Sequence, residues 1–250
     1  MPLRIAFDVD GVFADMESEL VRQAELLFGR GARPRDQQRG SLPLPHARSP
    51  ADDEPISGAK SENIHPRVRR RLKTREQRRL WRHVALIPSF WESLKEIEPG
   101  ATAALASVAA ARRWEVMFLT KRPDSVGPSV QLQTQRWLES HGYALPSVFV
   151  VQGSRGRVAA ALGLDFVVDD RPENCVDVLA DSKARPILVW REDTECVAAG
   201  ARRLEICIVK STTACIATLA EIDASIHQDA GAFDRVIQLL GLKSALGLNR

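Results

Sequence analysis

The sequence predicts an α/β fold, in which a Rossmann-like parallel sheet is flanked by helices and a small helical cap is inserted after the first strand. From residue 87 onward, short and almost wholly apolar segments alternate with helical segments, which is typical of parallel strands covered on both faces. Residues 15–86 interrupt that alternation. The composition, 44% hydrophobic and 27% charged in 250 residues, excludes fibrous and wholly disordered classes.

The first strand is predicted at residues 3–9, where an apolar run leads into Asp-Val-Asp-Gly. A helix is predicted at 17–28, because its apolar residues recur on one helical face. Residues 31–60 contain five prolines among polar residues, which favours a long mobile loop. A basic helix is predicted next, at 66–84.

The remaining elements alternate regularly. Further strands are predicted at 114–119, 148–151, 165–168, 186–190 and 204–209, and helices at 101–112, 129–141, 157–162 and 174–181. We therefore expect a core of residues 1–14 and 87–200, a cap of residues 15–86, and a C-terminal strand and helix extension of residues 201–250 that packs on the core.

The apolar pattern, the cysteine spacing and the charge distribution indicate where the protein is located and what it could bind. No apolar run reaches the roughly 18 residues of a membrane span, and no apolar leader segment follows the first residues. The four cysteines show no CxxC spacing, which indicates reduced thiols and a cytoplasmic protein. The net charge of +3 conceals a basic stretch, residues 65–83, with nine basic residues against the single acid Glu76. The pattern gives no indication of oligomeric state.

Polar residues stand where four of the predicted strands end, which is the edge at which open α/β sheets bind ligands. In chain order these residues are Asp8 and Asp10, then Thr120, then Ser154 and Arg155, then Asp169 and Asp170. Crowded carboxylates are unfavourable unless a cation or a proton compensates them. Because the donors are oxygen atoms without nearby Cys or His, the expected ion is Mg²⁺.

This set suits phosphoryl transfer. Asp8 is the candidate nucleophile that forms an aspartyl-phosphate, and Asp10 is the candidate acid and base for the leaving oxygen and the water. Thr120 is expected to bind a phosphoryl oxygen, and Arg155 to offset charge on the equatorial oxygens. Each residue alone is explained by a turn or a helix N-cap, so the prediction depends on the ordered set.

The motifs resemble the four signature positions of the haloacid dehalogenase-like (HAD) superfamily of phosphohydrolases. They are Phe-Asp-Val-Asp-Gly-Val at 7–12, Phe-Leu-Thr at 118–120, Arg155, and Val-Val-Asp-Asp at 167–170. Within the superfamily the chain is most similar to the 5'(3')-deoxyribonucleotidase branch, through residues 8–15, Ser-Phe-Trp at 89–91 and Pro-Gly-Ala at 99–101. The resemblance covers residues 3–15 and roughly 88–190.

The resemblance implies a HAD-like core with a helical cap between the first and second signatures. It also implies that Mg²⁺ is bound by the side chains of Asp8 and Asp169 and by the main-chain carbonyl of Asp10, with Asp170 supporting these ligands.

Two features depart from the family pattern. The third signature is normally a lysine; Arg155 stands there, and Arg157 is a competing candidate. Lysine and arginine are not interchangeable at such a site. Residues 31–85 also differ from the compact cap of the nucleotidase branch.

Other residues admit two interpretations. Lys121 and Arg122, directly after Thr120, either contact the phosphate or sugar of the substrate or have no role in binding it. Phe13, Phe90 and Trp91 either line a pocket for a nucleobase or pack in the core beneath the cap.

The function predicted from the sequence is a Mg²⁺-dependent phosphomonoester hydrolase. Its expected substrate is a small phosphorylated metabolite such as a (deoxy)nucleoside monophosphate. One alternative is a phosphatase of nucleic-acid ends docked by the stretch 65–83, which the scarcity of aromatic residues there disfavours. The other is a catalytically weak binding protein that keeps the fold.

Overall fold

The computed structural model describes residues 2–29, 72–192, 203–204 and 206–228. Its strands, in chain order, are β1 (Arg4–Asp8), β2 (Glu115–Thr120), β3 (Ser147–Val150), β4 (Phe166–Asp169), β5 (Arg185–Val189) and β6 (Cys207–Val209). Within the described residues they form a six-stranded parallel sheet in the order β3-β2-β1-β4-β5-β6. The predicted fold class, a parallel sheet flanked by helices, is confirmed.

The strand order reverses at β1, which lies between β2 and β4. In the register of the sheet, Phe7 is level with Phe118 of β2 and Val168 of β4, so that Asp8, Leu119 and Asp169 follow at the same edge. A crevice at the carboxyl ends of the strands, where the order reverses, is the usual ligand position in such sheets. The topology therefore brings the predicted acids to one place.

The helices in the described ranges flank the sheet. They are α1 (Met16–Phe28), α2 (Thr74–Ala85), α3 (Ala101–Arg112), α4 (Val130–Ser140), α5 (Arg155–Leu162), α6 (Pro172–Asp181) and α7 (Thr212–Gln228), with a 3₁₀ turn at Phe90–Glu92. Helix α1 packs on α2, α5 on α6, and α7 on α3, β5 and β6.

The apolar strands bury side chains on both faces, as their near-continuous hydrophobic pattern predicts. In β1, Ile5 and Phe7 belong to the larger core cluster, whereas Ala6 between them belongs to a second cluster on the opposite face. Val168 and Val167 of β4 divide in the same way. These packed faces hold the strand ends, and with them the acids, in fixed positions.

Most element boundaries differ from the sequence prediction by one or two residues, and β6 begins at Cys207 rather than at residue 204. Helix α5 begins at Arg155 rather than at residue 157, because the Ser154 side chain accepts a hydrogen bond from the Arg157 backbone and caps the helix. In the described part of the chain, the basic helix predicted at 66–84 is α2, which begins at Thr74, since residues 72 and 73 are not helical. Residues 66–71 and the loop predicted at 31–60 lie outside the described residues.

Among the described residues, Cys175, Cys207 and Cys215 are free thiols. None of the helices in the same ranges has the length and apolar character that crossing a bilayer requires.

Candidate active site

Three carboxylates meet at the carboxyl edge of the sheet. Asp8 ends β1, Asp169 ends β4, and Asp170 follows it. One oxygen from each lies within 4.8 Å of the others; Asp8 and Asp169 are buried and Asp170 is half-buried. Because these donors are charged oxygen atoms in a compact group, the site fits a hard divalent cation such as Mg²⁺.

Gly11 makes room for this cluster. Its backbone φ is +80°, and a Cβ atom there would lie 2.0 Å from Oδ2 of Asp170. Only glycine combines the left-handed conformation with the absence of a side chain. The glycine that ends the Asp-x-Asp-Gly motif is therefore required both by the backbone conformation and by the close approach of Asp170, which lies far away in the chain.

Arg155 brings a positive charge to the acids. Its Nη2 atom donates a hydrogen bond to Oδ1 of Asp8 at 2.5 Å, and its Nε atom lies 3.8 Å from Oδ2 of Asp169. Its Nη1 atom is buried and has no hydrogen-bond partner among the described residues. A buried N–H group of this kind costs free energy unless it finds an acceptor, and a phosphoryl oxygen is one.

Arg155 and Arg157, the two candidates for the third signature position, lie in different surroundings on helix α5. Arg155 is its first residue and is buried, whereas Arg157 is exposed and lies 3.5 Å from Asp181 at the surface. The geometry therefore places Arg155, and not Arg157, beside Asp8.

Helix α6 holds the start of α5. The Asp177 carboxylate accepts hydrogen bonds from the Ser154 hydroxyl at 3.0 Å and from the Gly156 backbone N–H at 3.1 Å. A Cβ on Gly156 would lie 2.2 Å from the Asp177 carbonyl oxygen. This close packing fixes the backbone from which Arg155 extends.

Burial makes ionisation of Asp8 and Asp169 unfavourable. Burial raises the pKa of Asp8 well above its ordinary value; Arg155 opposes this effect, and Asp169 and Asp170 add to it. Burial also raises the pKa of Asp169, against the opposing influence of Arg155 and of hydrogen bonds from Arg171 and Asn174. A cation beside the three carboxylates would favour their ionised forms.

Asn174 is a site residue that the sequence pattern did not reveal. Its Nδ2 atom donates to both carboxylate oxygens of Asp169, at 3.0 and 2.9 Å, and the Arg171 backbone N–H donates to Oδ1 at 2.9 Å. Asn174 lies in the first turn of α6, directly after the strand that supplies Asp169. Its position five residues after Asp169, behind Pro172, was the available signal.

The side chain of Asp10 contacts Arg122 and Thr120, whereas that of Asp8 contacts Arg155. Arg122 binds it with a two-pronged ion pair, Nε to Oδ2 at 2.8 Å and Nη2 to Oδ1 at 2.7 Å. The Thr120 hydroxyl donates to Oδ2 at 3.2 Å. Lys121 is half-buried and, within the described residues, forms no ion pair with these acids.

Arg122 is enclosed on every side. Its side chain has no exposed surface, its Nη1 atom donates to the Thr134 hydroxyl at 2.9 Å, and its guanidinium carbon lies 4.8 Å from the centre of the Trp91 ring. Trp91, Phe90 and Phe13 are themselves fully buried in the core. Of the two interpretations of these aromatic residues, the structure therefore supports core packing.

A third arginine, Arg191, which no sequence pattern indicated, binds the turn after Asp10. Arg191 donates to the Gly11 carbonyl at 2.6 Å and to the Val12 carbonyl at 3.1 Å. Its partner Glu98 accepts from Arg191 at 2.7 Å and from the Thr212 backbone at 2.7 Å. This network joins β5, the turn and the start of α7.

Partial burial raises the pKa of Glu98, but hydrogen bonds from Thr213, Thr212 and Arg191 outweigh it and lower the pKa to about 2. The Glu98 carboxylate is therefore ionised at neutral pH. It keeps its four hydrogen-bond donors, which are the Arg191 guanidinium, the Thr212 backbone N–H, and the backbone N–H and hydroxyl of Thr213.

No protein-family model matches the chain, and no curated protein matches it. One similar solved structure is a haloacid dehalogenase-like family hydrolase from Xanthomonas campestris, with 16% identity and a TM-score of 0.48 over 91% of this chain and 99% of that chain. A phosphonoacetaldehyde hydrolase-like protein from Oleispira antarctica has 15% identity and a TM-score of 0.48 over 96% of this chain and 94% of that chain. At this level of similarity, the functional argument rests on the geometry of the site.

Proposed function

We propose that the protein is a HAD-like phosphomonoester hydrolase that uses Asp8 as its nucleophile and depends on Mg²⁺. The observation that carries the proposal is the meeting of Asp8, Asp169 and Asp170 with Arg155, whose Nη1 atom is buried without a partner in the described part of the chain. Three acids for a cation and a free guanidinium N–H for a phosphoryl oxygen together suit an anionic phosphate ester.

In the first step a carboxylate oxygen of Asp8 attacks phosphorus, and the bond from phosphorus to the ester oxygen breaks with its electron pair on that oxygen. Asp10, protonated, gives its proton to the leaving oxygen, so that an alcohol departs and an aspartyl-phosphate remains. Arg155 stabilises negative charge on the transferring group.

In the second step water attacks the phosphorus of the aspartyl-phosphate, and Asp10 takes the proton of that water. The bond from phosphorus to the Asp8 oxygen breaks, which restores the Asp8 carboxylate and releases inorganic phosphate. Asp10 thereby regains the proton that it gave up in the first step.

Asp8 and Asp169 would hold Mg²⁺ through their side chains and Asp10 through its main-chain carbonyl, with Asp170 supporting these ligands and Asn174 orienting Asp169. When bound, Mg²⁺ supplies positive charge that offsets the repulsion between the acids and the phosphate dianion.

The proposed substrate is a small phosphorylated metabolite, and a (deoxy)nucleoside monophosphate is the first choice. This choice depends on the resemblance of residues 8–15 and 89–101 to the 5'(3')-deoxyribonucleotidase branch. A cytoplasmic location stays a prediction from the reduced cysteines.

The test is hydrolysis of an aryl phosphate by the purified protein with Mg²⁺ and with a chelator. We expect activity that requires Mg²⁺ and falls to background in Asp8→Asn, because an amide cannot act as the nucleophile. An Asp8→Asn variant as fast as the parent would refute the proposal. A screen of phosphorylated metabolites, nucleoside monophosphates included, then identifies the substrate.

A second candidate function, removal of phosphate from nucleic-acid ends, is favoured by one observation. Arg75, Arg78 and Arg79 are exposed on α2, as is Lys73 directly before it, and such a basic face attracts the phosphate backbone. Binding to an oligonucleotide that weakens steeply with salt, and weakens further in Arg78→Gln, would favour this candidate over a small metabolite.

A further inference from the structure

The ion pair between Arg122 and Asp10 has a geometry that the proposed reaction does not by itself require. Both oxygens of the Asp10 carboxylate are bound by one guanidinium group, through Nε and Nη2. Such a two-pronged contact fixes the plane of the carboxylate as well as its position. Arg122 also lies two residues after Thr120, so the same strand end supplies both groups that bind Asp10.

We propose that Arg122 is a positioning residue that sets the orientation of Asp10 for proton transfer to the leaving oxygen. The inference rests on the proposed function, since it concerns the acid of that reaction. Proton transfer by a side chain depends strongly on its placement relative to the reacting atom. A free aspartate rotates about two bonds, and the fork of Arg122 removes that freedom.

Arg122 acts through Asp10 and not on the substrate. Its side chain has no exposed surface, whereas that of Asp10 is 10% exposed. A substrate that enters from solvent can therefore reach Asp10 and cannot reach Arg122.

The surroundings of Arg122 hold the guanidinium rigidly. The Thr134 hydroxyl accepts from Nη1 at 2.9 Å and donates to the Val130 carbonyl at 2.8 Å, so its own hydrogen bonds are satisfied. The guanidinium carbon lies over the Trp91 ring, and the Trp91 Nε1 atom donates to the Pro123 carbonyl at 3.0 Å. Lysine cannot reproduce this arrangement, because it offers a single ammonium group without a planar fork.

The alternative is that the buried pair serves stability alone. The leaving group of the substrate separates the two roles. A nitrophenolate leaves as an anion and needs no proton, whereas an alkoxide must be protonated as it leaves. Loss of the orientation of Asp10 therefore slows cleavage of an alkyl phosphate more than cleavage of an aryl phosphate, while general damage slows both equally.

The experiment measures kcat/KM for p-nitrophenyl phosphate and for a simple alkyl phosphomonoester, because kcat/KM reports the transfer of phosphorus to Asp8. In Arg122→Gln we expect a fall of about 100-fold or more for the alkyl ester, the size of a general-acid contribution, and a change within about threefold for the aryl ester. Arg122→Lys should give an intermediate ratio between the two esters.

Arg136→Gln is the matched control. Arg136 lies on α4 with Thr134 and pairs with Glu92 at the surface at 3.5 Å, so its replacement should leave both rates unchanged. Thermal unfolding establishes that each variant is folded. If Arg122→Gln does not fold, Thr134→Val removes the hydrogen bond to Nη1 of Arg122, together with the bond from Thr134 to the Val130 carbonyl within α4. It should change the ratio in the same direction by about 3- to 10-fold, as expected for the lost hydrogen bond to Arg122.

An equal loss on both esters, or no loss on either, overturns the positioning role while the proposed function stands. A parent protein that hydrolyses neither ester overturns the proposed function, and the role of Arg122 with it.

Discussion

Replacement of Gly11 by alanine tests two structural requirements at this position, a left-handed backbone and space for the Asp170 side chain. The left-handed backbone at φ +80° costs a residue with a Cβ atom about 1–2 kcal/mol. The new Cβ would also lie 2.0 Å from Oδ2 and 2.4 Å from Cγ of Asp170, so the Asp170 side chain must move. Such overpacking costs about 1–3 kcal/mol. The free energy of unfolding should therefore fall by about 2–4 kcal/mol, since Asp170 can move partly aside.

Two other glycines provide the controls. Gly100 has φ +85° and Gly153 has ordinary backbone, and at both positions a Cβ atom would meet nothing within 4 Å among the described residues. In Gly100→Ala the free energy of unfolding should therefore fall only by the cost of the left-handed backbone, about 1–2 kcal/mol. In Gly153→Ala it should stay within about 0.5 kcal/mol of the value for the parent.

Thermal unfolding measures these differences. For a chain of this size each kcal/mol lowers Tm by about 2–4 °C, so Gly11→Ala should melt roughly 5–15 °C below the parent. Because Asp170 lies in the acid cluster, the Mg²⁺ concentration that gives half-maximal activity should also rise, and only in Gly11→Ala. A Gly11→Ala protein with the Tm and the Mg²⁺ requirement of Gly153→Ala would refute the position assigned to Asp170.

Three further predictions follow from the site. Arg155→Gln should lower kcat/KM for phosphate esters by about 100-fold or more, whereas the surface variant Arg157→Gln should match the parent; equal losses in steady-state assays would contradict the geometry of α5. Asn174→Ala should raise the Mg²⁺ concentration needed for half-maximal activity by about 10-fold or more, because Asp169 loses the amide that orients it, and an unchanged requirement would argue against that role. The pKa of Glu98 is lowered to about 2 from 4.5, so its contribution to stability is complete above about pH 4.5 and is lost as the pH falls toward 2. Because this carboxylate is partly exposed, we expect the free energy of unfolding of the parent to fall by about 1–2 kcal/mol more than that of Glu98→Gln between pH 6 and pH 3, as measured by denaturant titration. Curves of unfolding free energy against pH that run parallel for the two proteins would refute this expectation.

The fold followed from the sequence because its strands are buried on both faces. Apolar runs such as residues 3–9 and 165–168 match β1 and β4 closely. The acids at the ends of these runs were placed together by topology alone, since parallel strands end at one edge of a sheet.

The contacts of Asp10 did not follow from the sequence. Arg122 and Asp10 are 112 positions apart, and no local pattern distinguishes Arg122, which is fully buried, from Lys121, which is not. From the sequence, Lys121 and Arg122 shared the same interpretation as candidate substrate-binding residues. In the structure it is Arg122 that reaches an acid of the site.

The choice between Arg155 and Arg157 depended on where a helix begins. Ser154 is a good N-cap residue, and its side chain does cap α5. A helix that begins at Arg155 places that residue at the edge of the sheet and Arg157 on the outer surface. The hydrogen bonds of Arg191 and Glu98 across the turn at Gly11 depend on tertiary contacts, and no spacing in the sequence indicates them.

The covalent step on Asp8 leaves a phosphoryl group on the protein that can be detected directly. The protein is mixed with a phosphomonoester and Mg²⁺, the reaction is stopped with acid within the first turnover, and the peptides are mapped by mass spectrometry. We expect a phosphoryl group on the peptide that contains Asp8, and none on that peptide when Asp8→Asn is treated in the same way. A phosphoryl group on a different peptide, or turnover by Asp8→Asn at the rate of the parent, would contradict it.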